Sequence, residues 1–469
     1  MVHFLLIFQK KIKMTKPLFS EFPEVSSKQW KQKIQSDLKG ADYNETLIWQ
    51  SNEGINVKPF YHQDTLKTTS INAIPQTSWN ICQTIFVQQI EIANGIAVSA
   101  LKHGAESIHF IIPDDSISIE NLLKNIDIQK TTIFFELQFL SEAFVEKIID
   151  FGTNSQIIVQ TDIIGNLAQS GNWFTNLEAD HKALQNIVKL SNSITVNTTL
   201  YQNAGANMVQ QLAYALSHIN EYFNQLHEHL SVSEKQSFTA VFRLAIGSNY
   251  FFEIGKIRAL RVLYQSLATE YGFNTECHVF TTPTKRNKTI YDYNTNMLRT
   301  TTECMSAILG GANTIYNMPY DAVYHKNNEF GDRIARNQLL ILKHESYLDQ
   351  VKNPSEGSYY IETLTNQLAE KGLELFKDIE ANGGFLKQLK EGTIQRKIKE
   401  SAIKEQEQFD TGKITLLGTN KHPNESDKMS NELELYPFVK TQSRKTLIEP
   451  IVEKRLAEKS EQDRLKTEN

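Results

Sequence analysis

The chain has 469 residues, of which 40% are apolar and 22% are charged, and its formal net charge is −5. This length suits roughly two to four average domains, or one large α/β barrel with extensions. The acidic balance offers no basic excess to neutralise phosphates, which argues against nucleic acid as a partner. The composition predicts an ordinary globular protein with a sizeable core.

Cysteine usage and hydropathy indicate a cytoplasmic protein without a membrane span. Cys82, Cys277 and Cys304 are too few and too far apart for a disulfide framework or a zinc site, so we expect three reduced, buried thiols. The apolar run at residues 4–8 is too short to cross a membrane, and its positive charges follow it instead of preceding it as in a secretory signal. Residues 1–14 are predicted to be a disordered extension.

An N-terminal arm is predicted over residues 15–75. Residues 30–38 have the pattern of a short amphipathic helix that ends at Gly40. The arm has too little regular structure to build its own core around its aromatic residues, which are Trp30, Tyr43, Trp49, Phe60 and Tyr61. We therefore expect it to pack on something larger, either its own barrel or another subunit.

Short apolar runs then alternate with helical patterns over residues 76–345. The eight candidate strands are Trp79–Gln83, Ser107–Ile112, Thr132–Gln138, Gln156–Thr161, Ser193–Thr199, Phe238–Ala245, Glu276–Thr281 and Asn313–Asn317. Eight strand–helix units of this length favour an α/β fold of the (β/α)8 TIM-barrel type, with a doubly wound open sheet as the main competitor.

Two segments follow the predicted barrel. Residues 346–410 are predicted to form a helical extension. Residues 411–469 are rich in charge and poor in apolar side chains, which predicts a solvated helix or a frayed tail, with partner contact as the weaker alternative.

The loops after the strands of a TIM barrel build its active site, but here they offer little catalytic chemistry. The sequence has no glycine-rich phosphate loop and no metal-binding motif. Asp162 is the carboxylate expected at this face, and a helix-capping role is favoured over catalysis. Lys285 and Arg286 are adjacent loop cations that could meet an anion but are more often solvated. His109 and His278 lie inside strand patterns, which favours a core or barrel-wall role over ligation.

Several stretches, taken together and in order over roughly residues 15–450, resemble methylmalonyl-CoA mutases. The N-terminal match is Trp30 with Asp37-Leu38-Lys39-Gly40, and two helices match at residues 248–259 and 293–303. The most specific match is Phe330-Gly331-Asp332-Arg333-Ile334-Ala335-Arg336-Asn337. The resemblance implies the same (β/α)8 barrel that the strand count favours.

Departures from the family pattern fall at its reactive positions. Catalytic members carry Gly-Tyr-His after the fifth strand, with the histidine near the substrate thioester, whereas Thr198-Thr199-Leu200 stands here. Leucine cannot donate a hydrogen bond to a carbonyl during the rearrangement. We therefore expect no catalytic residue in this chain, with Thr199 and Leu200 as degenerate positions. The expected vestigial pocket comprises Gln202, Asn203, Thr282, Lys285 and Arg286.

The family's cobalamin motif, Asp-x-His-x-x-Gly, does not occur in this sequence. The resemblance therefore implies a small, non-catalytic subunit of a heterodimer, in which the large subunit binds adenosylcobalamin and the acyl-CoA substrate, and this chain binds no cofactor. One alternative is the substrate-binding subunit of another acyl-CoA mutase whose cobalamin domain is a separate chain. Another is a binding module for acyl-CoA or for a cobalamin-loading partner.

Overall fold

The computed structural model describes residues 19–66, 79–152, 155–440 and 443–468. The predicted disordered extension, residues 1–14, lies outside them. The chain divides into two compact units at Thr68 and Thr69, so the described part of the arm forms one unit and the barrel belongs to the other. The predicted domain boundaries remain predictions.

The arm contains the expected helix. Helix α1 (Ser27–Asp37) begins at a capping box in which Ser26 and Gln29 bond each other's backbone N–H groups, because the first N–H groups of a helix lack internal partners. It ends before Gly40, whose φ of +99° favours glycine. The remaining elements of the arm are α2 (Tyr43–Leu47), β1 (Trp49–Gln50) and β2 (Asn56–Val57), which pairs with β1 in antiparallel orientation.

All eight predicted barrel strands are present. They are β3 (Asn80–Phe86), β4 (Ser107–Ile112), β5 (Thr132–Leu137), β6 (Ile157–Gln160), β7 (Ser193–Asn197), β8 (Thr239–Ile246), β9 (Cys277–Pro283) and β10 (Thr314–Tyr316). Each strand pairs in parallel with its neighbours in the order β6-β5-β4-β3-β10-β9-β8-β7. The pairing of β3 with β10 joins the first and last strands, so the sheet is a nearly closed (β/α)8 barrel and the open-sheet alternative is wrong.

Helices alternate with the strands of the barrel. From the first strand to the last they are α3 (Ile90–Lys102), α4 (Ile119–Leu122), α5 (Glu142–Phe151), α6 (Ile163–Ser170), α7 (Leu177–Ser191), α8 (Thr199–Asn203), α9 (Met208–Leu226), α10 (Val232–Ser237), α11 (Tyr250–Tyr271) and α12 (Thr295–Gly310). The predicted strand Ser193–Thr199 ends earlier than expected, because Thr199 begins α8. A large apolar core lies between β3–β6 and their helices.

Further helices follow β10. They are α13 (Glu329–Leu340), which continues as a π-helix (Ile341–Glu345), then α14 (Tyr359–Ala381), α15 (Phe385–Lys390), α16 (Thr393–Asp410) and α17 (Glu458–Leu465). Helix α14 packs along α9 and α11, so the helical extension is built onto the barrel.

The expectation of a solvated or frayed C-terminal tail is wrong for residues 443–468. Ile448, Ile451 and Leu456 are buried, and the Arg455 side chain forms a buried ion pair with Glu461, with 2.6 Å between Nη1 and Oε2. A charge-rich composition does not predict this arrangement, because the charges are neutralised by partners that are distant in sequence or lie on the following helix.

Candidate functional site

The inside of the barrel is filled by aromatic side chains. Phe134 of β5 and Phe280 of β9 meet edge to face with 5.3 Å between ring centroids, and both are almost fully buried. The His278 ring lies 5.4 Å from that of Phe134. Because packed interiors leave few voids, these rings close the middle of the barrel to a ligand. His278 therefore has the core role that the sequence favours.

An ion pair lies next to these rings, nearer the carboxyl ends of the strands. Arg243 Nη1 of β8 is 2.5 Å from Glu136 Oε2 of β5. His109 Nε2 of β4 is 3.2 Å from the same oxygen, and its Nδ1 is 3.1 Å from the Thr84 hydroxyl. Burial raises the pKa of Glu136, but the charge of Arg243 and the hydrogen bond from His109 outweigh it and hold that pKa below its usual range. Burial lowers the pKa of His109 and favours the neutral imidazole.

A polar cavity of about 200 Å³ adjoins this ion pair. Its wall includes Glu136, Gln160, Thr161, Thr195 and Arg243, which lie at or near the carboxyl ends of β5–β8. Residues of this wall were missed at the sequence level because they lie within the strands and not in the loops that follow them. A charged residue inside an apolar strand pattern, as at Glu136 and Arg243, was the available signal.

Asp162 also lines the cavity and caps α6, as predicted. Its Oδ1 accepts a hydrogen bond from Gly165 N at 2.7 Å, and also from the Tyr222 hydroxyl at 2.6 Å. His218 Nε2 lies 2.9 Å from the same oxygen, and the other ring nitrogen of His218 contacts the Tyr201 hydroxyl at 3.0 Å. Burial raises the pKa of Asp162, but His218 and these hydrogen bonds outweigh it and lower that pKa. The carboxylate therefore joins α6, α8 and α9 in one buried network.

Thr199 and Leu200, the two positions predicted to be degenerate, lie at the start of α8. Thr199 Oγ1 donates a hydrogen bond to Asn197 Oδ1 at 2.6 Å. The Leu200 side chain is buried, with 3% of its surface exposed. Neither residue brings an acid, a base or a charged donor to the carboxyl end of the barrel.

Gln202 belongs to a buried ion-pair cluster and not to a free pocket wall. Lys256 of α11 donates from Nζ to Gln202 Oε1 at 2.8 Å and to Gln211 Oε1 at 2.9 Å. The same nitrogen lies 2.6 Å from Glu253 Oε2, and both charged side chains are almost completely buried. The Gln202 amide thus helps to solvate a buried lysine.

Asn203, Lys285 and Arg286 are brought together by the C-terminal segment, residues 447–457. Glu453 accepts hydrogen bonds from Asn203 Nδ2 at 2.9 Å and from Lys285 Nζ at 3.1 Å. Arg286 donates from Nη1 to the Lys454 carbonyl at 2.7 Å. Thr282, the remaining member of the expected pocket, lies on β9 and is partly buried. These loop cations are therefore engaged by the chain itself.

Main-chain hydrogen bonds hold the C-terminal segment against successive barrel units. Ile451 N donates to Ala168 O at 2.8 Å, at the end of α6. Lys454 N donates to Asn203 O at 3.1 Å, and Leu456 N donates to Arg286 O at 2.9 Å. The segment therefore runs past the loops after β6, β7 and β9, where a TIM barrel normally admits its substrate.

The described residues contain no helix that is both long enough and apolar enough to cross a membrane. Within the same ranges, no three His, Cys, Asp or Glu side chains group closely enough to hold a metal ion.

Comparison with known proteins identifies the family. The family model for methylmalonyl-CoA mutase matches residues 94–467. The chain is 33% identical to the methylmalonyl-CoA mutase small subunit of Porphyromonas gingivalis, over 89% of this chain and 73% of the relative. It is 25% identical to the small subunit of Streptomyces virginiae, over 87% of this chain and 72% of the relative.

The methylmalonyl-CoA mutase of Rhizobium meliloti is 26% identical, over 88% of this chain and 66% of the relative. The chain thus spans just under two thirds of that longer mutase. The family-model match and the 33% identity to a small subunit agree with each other and with the barrel observed here. This chain belongs to the methylmalonyl-CoA mutase family.

Proposed function

We propose that this chain is the structural small subunit of a heterodimeric, adenosylcobalamin-dependent methylmalonyl-CoA mutase. In this proposal the large subunit interconverts methylmalonyl-CoA and succinyl-CoA and holds both the cofactor and the acyl-CoA. The names of two relatives, each a methylmalonyl-CoA mutase small subunit, support a larger partner.

The observation that carries the proposal is which residues occupy the carboxyl end of the barrel, where TIM barrels have their active sites, and what those residues bind. Leu200, which the resemblance aligns with the family's reactive histidine, is buried. The neighbouring Asn203 and Arg286 are bound by residues 453 and 454 of the chain's own C-terminal segment. Electrostatic stabilisation of a reacting carbonyl needs donors that are aimed at it, and here the side chains of Asn203 and Arg286 already donate to the C-terminal segment.

The interior of the barrel gives independent support. A drug-sized ligand needs a pocket of roughly 300–1,000 Å³, and a corrinoid with its adenosyl group is larger still. The cavity here measures about 200 Å³ and is bounded by the Arg243–Glu136 pair. The residues present do not fit adenosylcobalamin at this barrel face, which favours a partner as its holder.

The alternative function is a substrate-binding subunit of another acyl-CoA mutase whose cobalamin domain is a separate chain. That function requires a barrel open to an acyl-CoA from its carboxyl end. The Phe134–Phe280 contact inside the barrel and the segment across the loops both disfavour it.

Co-purification with the large mutase subunit of the same organism tests the proposal. The complex and each separate chain are assayed for methylmalonyl-CoA isomerisation with added adenosylcobalamin. We expect a stable one-to-one complex, with no turnover by this chain alone.

Two variants sharpen the test. Lys285→Ala in this chain should leave the turnover of the complex unchanged, whereas replacing the reactive histidine of the large subunit should abolish it. Failure of the two chains to associate would refute the structural-subunit proposal. Turnover by this chain with a separate cobalamin protein would support the alternative.

A further inference from the structure

The cavity beside Arg243 lies at the seam of the barrel. Neighbouring strands are paired throughout the sheet, but β6 and β7 form its two edges. They are joined by a main-chain bond of 3.2 Å from Thr195 N to Thr161 O and by a 3.0 Å bond from the Ser193 hydroxyl to Val159 O. Thr161 and Thr195 both line the cavity.

The cavity wall contains hydrogen-bonding groups without partners. Gln160 Nε2, Thr161 Oγ1, Thr195 Oγ1 and Arg243 Nε are buried and make no hydrogen bond within the described residues. Gln160 and Thr195 are 3% and 2% exposed. Each buried polar group without a partner carries a desolvation cost. Two of these atoms are N–H donors and two are hydroxyls that can donate, and the Gln160 Oε1 acceptor is likewise buried without a partner within the described residues. Together they match a molecule that is rich in acceptor oxygens and also carries a donor.

The cation among the lining residues is already paired. Glu136 is paired with Arg243 at 2.5 Å. Asp162 Oδ2 accepts from Asn197 N at 2.7 Å, and its Oδ1 serves Gly165, His218 and Tyr222. The lining holds two carboxylates and one guanidinium, and this excess of negative charge disfavours an anion. The wall therefore offers hydrogen-bond donors but no unpaired positive charge.

We propose that this cavity is a binding site for a small neutral molecule rich in acceptor oxygens, of the polyol or hydroxyamide class. Its oxygens accept hydrogen bonds from Gln160 Nε2, Arg243 Nε and the two threonine hydroxyls. The size of this molecule is limited by the cavity volume of about 200 Å³. Roughly six or seven water molecules occupy that volume in the liquid, so the ligand has about six non-hydrogen atoms.

Saturation-transfer NMR on the full chain tests the proposal with lactamide and lactate. These two probes have the same number of non-hydrogen atoms and differ in charge. We expect lactamide to bind with a dissociation constant in the millimolar range, as roughly six atoms allow. Lactate should bind at least about 5-fold more weakly, because it meets the carboxylates of Glu136 and Asp162.

Three threonine variants assign the binding to the seam. Thr161→Val and Thr195→Val each remove one hydroxyl and keep the shape, and each should weaken lactamide binding by roughly 3- to 10-fold. Thr281→Val is the matched control, because Thr281 is a buried barrel threonine outside the cavity lining. It should leave binding unchanged.

Three outcomes would overturn the proposal. The first is no saturation transfer to lactamide, which would mean that the cavity holds only water. The second is equal binding by the wild type and both seam variants, which would place the ligand elsewhere. The third is tighter binding of lactate than of lactamide, which would contradict a neutral ligand. Circular dichroism on each variant shows that it is folded, and two independent seam variants guard against a local folding defect.

Discussion

Glu453 accepts a hydrogen bond from the side-chain amide of Asn203 at 2.9 Å, although 250 residues separate them in sequence. The contact joins the C-terminal segment to α8, the helix that carries Thr199 and Leu200, the positions predicted to be degenerate. Asn203 Oδ1 is engaged as well, because it accepts from the Thr284 hydroxyl at 2.7 Å. One amide thus connects the C-terminal segment, α8 and the loop after β9.

The Glu453 contact predicts how the C-terminal segment can be loosened. Glu453→Ala removes the acceptor for Asn203 and Lys285, which should speed amide exchange across residues 451–456 by roughly 3- to 10-fold, since one hydrogen bond is worth about 1 kcal/mol. Hydrogen exchange with mass spectrometry measures this. The control is Glu449→Ala, whose exposed carboxylate pairs with exposed Lys399. If both variants exchange at the wild-type rate, Glu453 does not hold the segment.

Replacing Leu200 with histidine is predicted not to be sufficient for isomerase activity. Leu200→His places an imidazole at a site that is 3% exposed, so we expect a loss of about 1–3 kcal/mol in unfolding free energy. No isomerisation should appear, because in the proposed function the large subunit holds the cofactor and the substrate. Urea unfolding and an isomerisation assay with adenosylcobalamin measure the two effects. Leu200→Met controls for volume, and any turnover by the isolated Leu200→His variant contradicts the account.

The buried pair Lys256–Glu253 should be important for stability. Lys256→Met leaves Glu253 without its cation in a fully buried site, at a cost of roughly 3–5 kcal/mol in unfolding free energy. The double variant Glu253→Gln/Lys256→Met should recover part of this loss, because no charge remains buried. Urea unfolding provides the comparison. A single variant as stable as the wild type would show that the pair is not needed.

The buried imidazole of His278 should make the unfolding free energy depend on pH. Burial, assisted by the charge of Arg261, lowers the pKa of His278 to about 3, whereas an unfolded imidazole titrates near 6.5. The unfolded chain therefore binds a proton below about pH 6.5 that the folded chain does not, and stability falls as the pH decreases toward 3. His278→Gln should reduce the proton uptake on unfolding at pH 5 by about one. Exposed His103→Gln is the control, and an unchanged uptake in His278→Gln would contradict the prediction.

The aromatic residues of the arm predict a partner interface. Trp30 and Trp49 are 50% and 51% exposed. Aromatic side chains of this size often supply much of the binding energy of a protein interface, so their exposure indicates a surface for a partner. We expect Trp30→Ala and Trp49→Ala each to weaken association with the large subunit by roughly 10-fold or more. Surface plasmon resonance measures the affinity, with Lys33→Ala as an exposed control on α1. Equal hydrogen-exchange protection of the arm in the isolated chain and in the complex would contradict this interface.

The local patterns were sufficient for the architecture. Strand β4 was predicted to the residue, and every other barrel strand was found within a few residues of its expected bounds. These predictions succeed because the apolar pattern of a strand or a helix relates residues only two to four positions apart in the chain. The capping role of Asp162 was predictable for the same reason, since its partner Gly165 lies three residues along the chain.

The sequence by itself determined the barrel and the family, because both are readable from residues close together in the chain, and it predicts the loss of the reactive histidine. Only the tertiary structure decided which groups Lys285 and Arg286 contact, since both bind a segment about 168 residues away. It also decided that the charge-rich C-terminus is packed and that a polar cavity lies at the β6–β7 seam. The physical reason is that charge compensation and cavity formation depend on contacts between groups that are distant in sequence. Local periodicity carries no information about such contacts.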